Sequence, residues 1–250
     1  MLETLFSQLP LHFEPKRLTQ EIAQFQECDW LAHAEEVFGN ASLILVSVGG
    51  TLNTDFAISG PMRNTPLLAR CPYLQQLLNA FEMPLSRCRL LRQQGNTKSP
   101  VTQENNYHWF RHQALCVPIV THAAVQFHGQ KQSIQMADGE IWHFDPTQPH
   151  WLVNESQQDC IHLVIEIKCK TFEVFKTSKV FRHLKEPYKF EVLTPLEINH
   201  LMDDLQAELN NTTISQVELS VIVQLIKQFK QRWAQTFAEF GHHQTGELAY

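Results

Sequence analysis

Between Ser86 and Ile167 hydrophobic residues recur at every second position in short runs broken by turn residues, whereas on either side they recur at helical spacing. Cys88, Leu90 and Arg92 alternate with Arg87, Arg89 and Leu91, and Gln94-Gly95-Asn96 ends that run with a turn. From Ala114 to Thr121, Leu115, Val117 and Ile119 share one face and Ala114, Cys116 and Pro118 the other. Further strands are predicted at Ser133 to Met136, Glu140 to Phe144 and Trp151 to Val153, separated by Ala137-Asp138-Gly139 and by the loop from Pro146 to Pro149. In the last run Ile161, Leu163, Ile165 and Ile167 face one way, and Cys160, His162, Val164 and Glu166 the other. Short strands of period two with regular turns predict an antiparallel barrel or double-sheet jelly roll.

The flanks follow the helical period. Leu18, Ile22 and Phe25 behind Pro15 predict an amphipathic helix over residues 16–27, and Tyr73, Leu74, Leu77, Leu78 and Phe81 behind Pro72 predict another. A strand is expected at Ser42 to Val48, closed by the turn Gly49-Gly50-Thr51, and residues 53–71 read as a long surface connection suited to a lid. In the tail, Thr194-Pro195-Leu196-Glu197 and Ser215-Gln216-Val217-Glu218 both match the capping box and open two amphipathic helices. They predict a helical hairpin that packs on the barrel or forms a homodimer interface. The expected organisation is residues 1–84 as helices and a strand against a barrel, 85–176 as the barrel, and 177–250 as the helical extension.

Composition narrows the class of partner. A net charge of -6 with scattered Lys and Arg gives no basic footprint for nucleic acid. No window has the apolar length of a membrane span, and the start of the chain lacks a basic segment followed by an apolar run, so a cytoplasmic protein is expected. Cys28, Cys71, Cys88, Cys116, Cys160 and Cys169 form no CxxC pair and read as buried thiols in a reducing compartment. Seven of the 13 histidines (His108, His112, His122, His128, His143, His150 and His162) fall within the stretch from Tyr107 to Glu166. Such density admits two readings, a metal pocket or a set of hydrogen-bonded core and rim groups.

In order and spacing, Gly139-Glu140-Ile141-Trp142, Phe144-Asp145, Pro149-His150, Val153-Asn154 and Ile161-His162-Leu163 resemble the aspartyl/asparaginyl β-hydroxylase and proline hydroxylase family. Leu90-Leu91, Gly95, Pro100 and Pro118-Ile119-Val120-Thr121 fit the same pattern. The resemblance covers about residues 85–167. It implies a mainly β protein with flanking helices, a double-stranded β-helix of the cupin-like kind. It also implies Fe(II) and 2-oxoglutarate as cofactors, and hydroxylation of an amino acid or peptide side chain.

The same resemblance implies a facial triad of an HxD motif and a later histidine on iron. His150 stands at the later position, but Val101-Thr102-Gln103 occupy the place of the HxD motif. The family's RxHxP run reads Ala114-Leu115-Cys116-Val117-Pro118, and Cys160 stands where an arginine would clamp 2-oxoglutarate. Valine cannot ligate, glutamine carries no charge, and an arginine-carboxylate pair worth on the order of a few kcal/mol has no replacement in cysteine. The expectation is therefore a family member with impaired or lost oxygenase chemistry, holding Fe(II) and 2-oxoglutarate if active and otherwise no cofactor. Candidates for a rearranged metal site are Glu104, His108 and His128 with His150, and candidates beside a co-substrate are His128, Arg111 and His162. Two alternatives stay open: a barrel that binds a small molecule or a protein without catalysis, and a zinc site on His150 with His162, His128 or a cysteine.

Overall fold

The computed structural model of the 250-residue chain describes residues 5–32, 40–52, 60–81, 83–105 and 107–169, together with 171, 175–176, 181, 184, 186–189 and 207. The backbone divides into two compact units, Met1–Phe190 and Glu191–Tyr250, and the account below concerns the first. The helical hairpin expected within 177–250, with its homodimer surface, lies outside the described residues.

In chain order the elements are β1 (Phe6–His12), α1 (Pro15–Ile22), β2 (Leu31–Ala32), β3 (Asn40–Val48), β4 (Met62–Asn64), α2 (Pro72–Ala80), β5 (Leu85–Gln93), β6 (Thr97–Lys98) and β7 (His112–Val120). They continue with β8 (Val125–Gly129), β9 (Ser133–Ile134), β10 (Glu140–Phe144), β11 (His150–Asn154), β12 (Cys160–Lys168) and β13 (Tyr188–Lys189). The larger sheet runs β13-β1-β10-β7-β12-β5-β3-β2 with β4 added to β3, and the smaller runs β6-β11-β8-β9. Every pairing is antiparallel except β1 with β13. From β5 to β12 the chain passes back and forth between the two sheets, with the hairpin β8–β9 kept in the smaller one, which makes the barrel a double-stranded β-helix.

Alternation gives the large sheet two unlike faces. On the outer face Leu43, Leu45, Leu90, Leu115, Val117, Leu163 and Ile165 are fully buried, as are Leu18 of α1 and Leu74 and Leu77 of α2. α1 packs on β7 and on α2, so this face forms an aliphatic core with the helices. Each such side chain contributes about 1.5–3 kcal/mol of burial. The helices are also clipped end to end, because the Glu21 carboxylate of α1 accepts the Tyr73 and Leu74 backbone N–H groups at the start of α2. It thereby caps a helix whose own N-cap position, Cys71, makes no side-chain cap bond.

The inner face is read from the register. One row runs Glu166, Ala114, Phe144, Phe6 across β12, β7, β10 and β1; the next runs Arg89, Val164, Cys116, Trp142, Gln8; a third holds Leu91, His162 and Pro118. Phe127 of the smaller sheet meets His162 edge-on at 4.8 Å and Phe6 at 6.2 Å, which places these rows inside the barrel. Leu5, Phe6, Cys116 and Met136 fill the middle with Phe127, Ile134, Trp142 and Phe144. Leu5 fits there only because position 129 is glycine, since a Cβ on Gly129 would lie 2.1 Å from its Cδ2.

Several expectations are revised at the edges. α1 ends at Ile22 and residues Glu27–Asp29 form a separate 3-10 turn, with the Asp29 carboxylate accepting the Gln26 N–H at 2.9 Å. β1, β6 and β8 have no counterpart in the hydrophobic pattern. Pro10 interrupts β1, which lies near the sheet edge and tolerates it. Within the connection at 53–71, β4 and a 3-10 turn at Leu68–Arg70 are formed, and residues 53–59 lie outside the described residues.

Candidate functional site

β11 opens on His150, and across from it the segment after β6 comes in at Thr102. The two residues exchange both backbone hydrogen bonds at 2.9 Å, so their side chains stand on one face. His150 Nδ1 lies 2.8 Å from the Gln148 carbonyl, which can only accept, so Nδ1 carries the proton. Nε2 is then the acceptor in the neutral ring, and the Thr102 hydroxyl lies 3.4 Å from it. A backbone carbonyl on one nitrogen and a lone pair aimed outward on the other is the posture of a metal ligand. The imidazole also meets Phe144 edge-on at 5.6 Å.

Among the described residues nothing beside it completes a triad. Val101 is 59% exposed, and Gln103, also exposed, donates from Nε2 to the Thr147 carbonyl at 2.9 Å. Glu104 donates its backbone N–H to the Pro146 carbonyl, and its carboxylate acts on Arg89. Among the described residues no three His, Cys, Asp or Glu side chains come together in a way that could hold a metal. The donor set at the mouth is one imidazole, one hydroxyl and one amide, which does not fit Fe(II) in a facial triad.

The other candidates are dispersed. His128 points to the outside of the smaller sheet, its ring stacked on Trp151 at 5.3 Å with 4° between planes. Arg111 is exposed. Ala114, Cys116 and Cys160 are buried on the inner face; burial raises both thiols, that of Cys160 to about 12. Such thiols stay protonated, which disfavours them as zinc ligands in this state. His162 is only 2% exposed, burial pulls its imidazole down to about 3, and its Nε2 has no hydrogen-bond partner.

His108 belongs to a cluster that no single position announces. Its Nε2 lies 2.8 Å from Glu166 Oε2, and its ring stacks on His112 at 3.7 Å with 5° between planes. Arg87 grips the same carboxylate with two prongs, Nε to Oε2 at 3.1 Å and Nη2 to Oε1 at 2.8 Å. Burial alone would raise the Glu166 carboxyl, but the bonds from His108 and Arg87 outweigh it and hold the group below its ordinary range. Arg89, two residues along β5, faces the same way; burial lowers its guanidinium, against the opposing pull of Glu166 and Glu104. Although positions 114, 116 and 160 carry no charge, the inner face carries charges on β5 and β12. The signal in the sequence was Arg87 and Arg89 at alternate positions of one strand and Glu166 on a predicted inner face.

This combination is a double-stranded β-helix with one ligand-like imidazole and a buried charge cluster on β5 and β12. The aspartyl/asparaginyl beta-hydroxylase family model matches residues 19–169, and the chain belongs to that family. In structure it is similar to an oxidoreductase of the 2OG-Fe(II) oxygenase family from Burkholderia pseudomallei, at 13% identity and a TM-score of 0.51, covering 66% of this chain and 86% of that one. It is also similar to a prolyl-4-hydroxylase from Pseudomonas putida, at 9% identity and a TM-score of 0.43, covering 68% of this chain and 95% of that one. No curated protein matches the chain in sequence.

Proposed function

We propose that this family member no longer performs Fe(II)/2-oxoglutarate hydroxylation of an amino acid or peptide side chain, and that its barrel serves as a binding module. The observation that carries this reading is the company of His150: Thr102 stands opposite it, and Val101 and Gln103 turn to solvent and to the Thr147 carbonyl. Cys160 in place of a clamping arginine supports it independently, since both halves of the co-substrate chemistry are affected. The six cysteines are all free thiols, which suits a reducing cytoplasm, and no described helix is long and apolar enough to cross a membrane. The two helices read from 194–237 are the surface through which we expect a homodimer, which sedimentation of a chain ending at residue 190 against the full chain would reveal.

The test is spectroscopic. The protein mixed anaerobically with Fe(II) and 2-oxoglutarate is expected to lack the weak visible band of the chelated complex and to yield no succinate on admission of oxygen. A band that disappears in His150→Ala would establish a working iron centre and overturn the proposal.

A further inference from the structure

The turn between β10 and β11 is built more tightly than a strand connection requires. It reads Asp145-Pro146-Thr147-Gln148-Pro149, and the Asp145 carboxylate is its centre. One oxygen, Oδ1, accepts the Thr147 N–H at 3.0 Å and the Thr147 hydroxyl at 2.7 Å; the other, Oδ2, accepts from Nε2 of Gln148 at 3.1 Å. The Asp145 carbonyl accepts the Gln148 N–H at 3.2 Å, so residue 148 is held to residue 145 by its backbone and by its side chain at once. The turn is also fastened to its surroundings. The Asp145 N–H donates to the Leu5 carbonyl at 3.0 Å, and the Pro146 and Thr147 carbonyls accept from the Glu104 N–H and the Gln103 amide.

This framework leaves Gln148 one polar group to place, its carbonyl. Proline at 149 bars the preceding residue from the helical region, which narrows the directions that carbonyl can take. It meets Nδ1 of His150 at 2.8 Å. In a neutral imidazole the bond made by one nitrogen decides which of the two carries the proton. The pairing of His150 does not need that decision, since its bonds to Thr102 run through main-chain groups. Nor does Thr102 impose it: its hydroxyl lies 3.2 Å from the His150 carbonyl and 3.4 Å from Nε2, both longer than ordinary hydroxyl bonds. An aspartate that served the turn alone would need only its bonds to Thr147. Its second oxygen instead braces the residue whose carbonyl faces the imidazole.

We propose that Asp145 is a positioning residue of the barrel mouth: through Gln148 it holds His150 as the Nδ1–H tautomer and leaves Nε2 as the hydrogen-bond acceptor that the mouth offers. This rests on the reading of the barrel as a binding module, whose recognising atom it names. Asp145 orients a ligand-facing group in the way that carbonyl and carboxylate partners orient the histidines of metal sites.

The full chain, labelled with 15N and kept in EDTA at mildly alkaline pH, is read by two-bond proton-nitrogen correlation of its imidazoles, with the His150 signals assigned by their loss in His150→Gln. His150 is expected as a single Nδ1–H tautomer. Asp145→Ala is expected to average its two nitrogen signals toward each other. Asp145→Asn, whose amide oxygen still accepts from Thr147 and whose amide nitrogen can bond the Gln148 carboxamide, is expected to restore the wild-type pattern. A turn that only braces the fold would lower the melting temperature in Asp145→Ala and leave the tautomer as it was, and that result overturns the proposal. So does a wild-type His150 protonated at Nε2. If Asp145→Ala does not fold, Gln148→Leu removes the bond from Oδ2 alone, and an unchanged tautomer in that variant overturns the proposal equally. The measurement uses no iron, so its failure leaves the preceding reading standing, whereas a working iron centre in the anaerobic test overturns that reading and leaves the tautomer result intact.

Discussion

On the outward side of β12, Leu163, Ile165 and Ile167 are fully buried among aliphatic neighbours; on its inward side, equally shielded, stand Cys160, His162 and Glu166. One strand thus buries two kinds of side chain in alternation, and the physics that makes each tolerable differs. Outward positions are held by shape, because a removed methyl leaves a void. Inward positions are held by partners, because a removed partner leaves a desolvated charge.

Substitution separates these two dependences. The largest effect is expected at Glu166→Ala, which strands Arg87 inside the barrel and lowers stability by about 3–5 kcal/mol, read by denaturant unfolding. Leu163→Ala, the outward counterpart, costs about 2–5 kcal/mol by cavity formation. The contrast breaks if Glu166→Leu combined with Arg87→Leu is as damaging as Glu166→Ala, since an apolar pair of similar volume is expected to recover most of the loss.

Acid provides a second, smaller separation. The His162 imidazole ionises at its ordinary 6.5 when unfolded and at about 3 when folded, so its contribution is fully present above 6.5 and is lost as pH falls toward 3, by about 1.4 kcal/mol per pH unit. His162→Phe is expected to flatten the stability profile across that window, measured by thermal melts from pH 7 to pH 4. The smallest expected effect has the opposite sign and lies outside the barrel. Burial lifts the Glu21 carboxyl from its ordinary 4.5 to about 7, against the pull of the Tyr73 and Leu74 N–H groups. Its contribution is therefore present below 4.5 and is lost as pH rises through 7. Glu21→Gln removes that slope, and a profile unchanged by the substitution would mean that the carboxylate keeps its ordinary ionisation in the fold.

The strands with two distinct faces were legible because their alternation is long: β5, β7, β10 and β12 each repeat it over five to nine residues. β6 spans two residues and carries no period to read, and β8 is obscured by the run of small residues before it, whereas β9 was expected over Ser133 to Met136 and forms over Ser133–Ile134. The ligand position of His150, and the non-ligating residues Val101 and Gln103 at the place of an HxD motif, were read through the family resemblance. The cluster around Glu166 was not, because it depends on which strands lie side by side. Arg87 and Glu166 are 79 positions apart, and only the pairing of β5 with β12 brings them into contact. His128 shows the converse limit: its residue type suits a site, but one step along the pleat sets it outside.

The central place of β12 in the large sheet also fixes the order in which this chain can mature during synthesis. Its neighbours β5 and β7 are both made earlier, and they cannot be bridged until residues 160–168 have emerged. Until then the nascent chain exposes the unpaired edges of two apolar strands, Cys88 and Leu90 on one and Leu115 and Val117 on the other. Such edges are sites of off-pathway pairing, and closing a span of this length is slow. Release of the barrel from a chaperone is accordingly expected only for translation products that extend past residue 168.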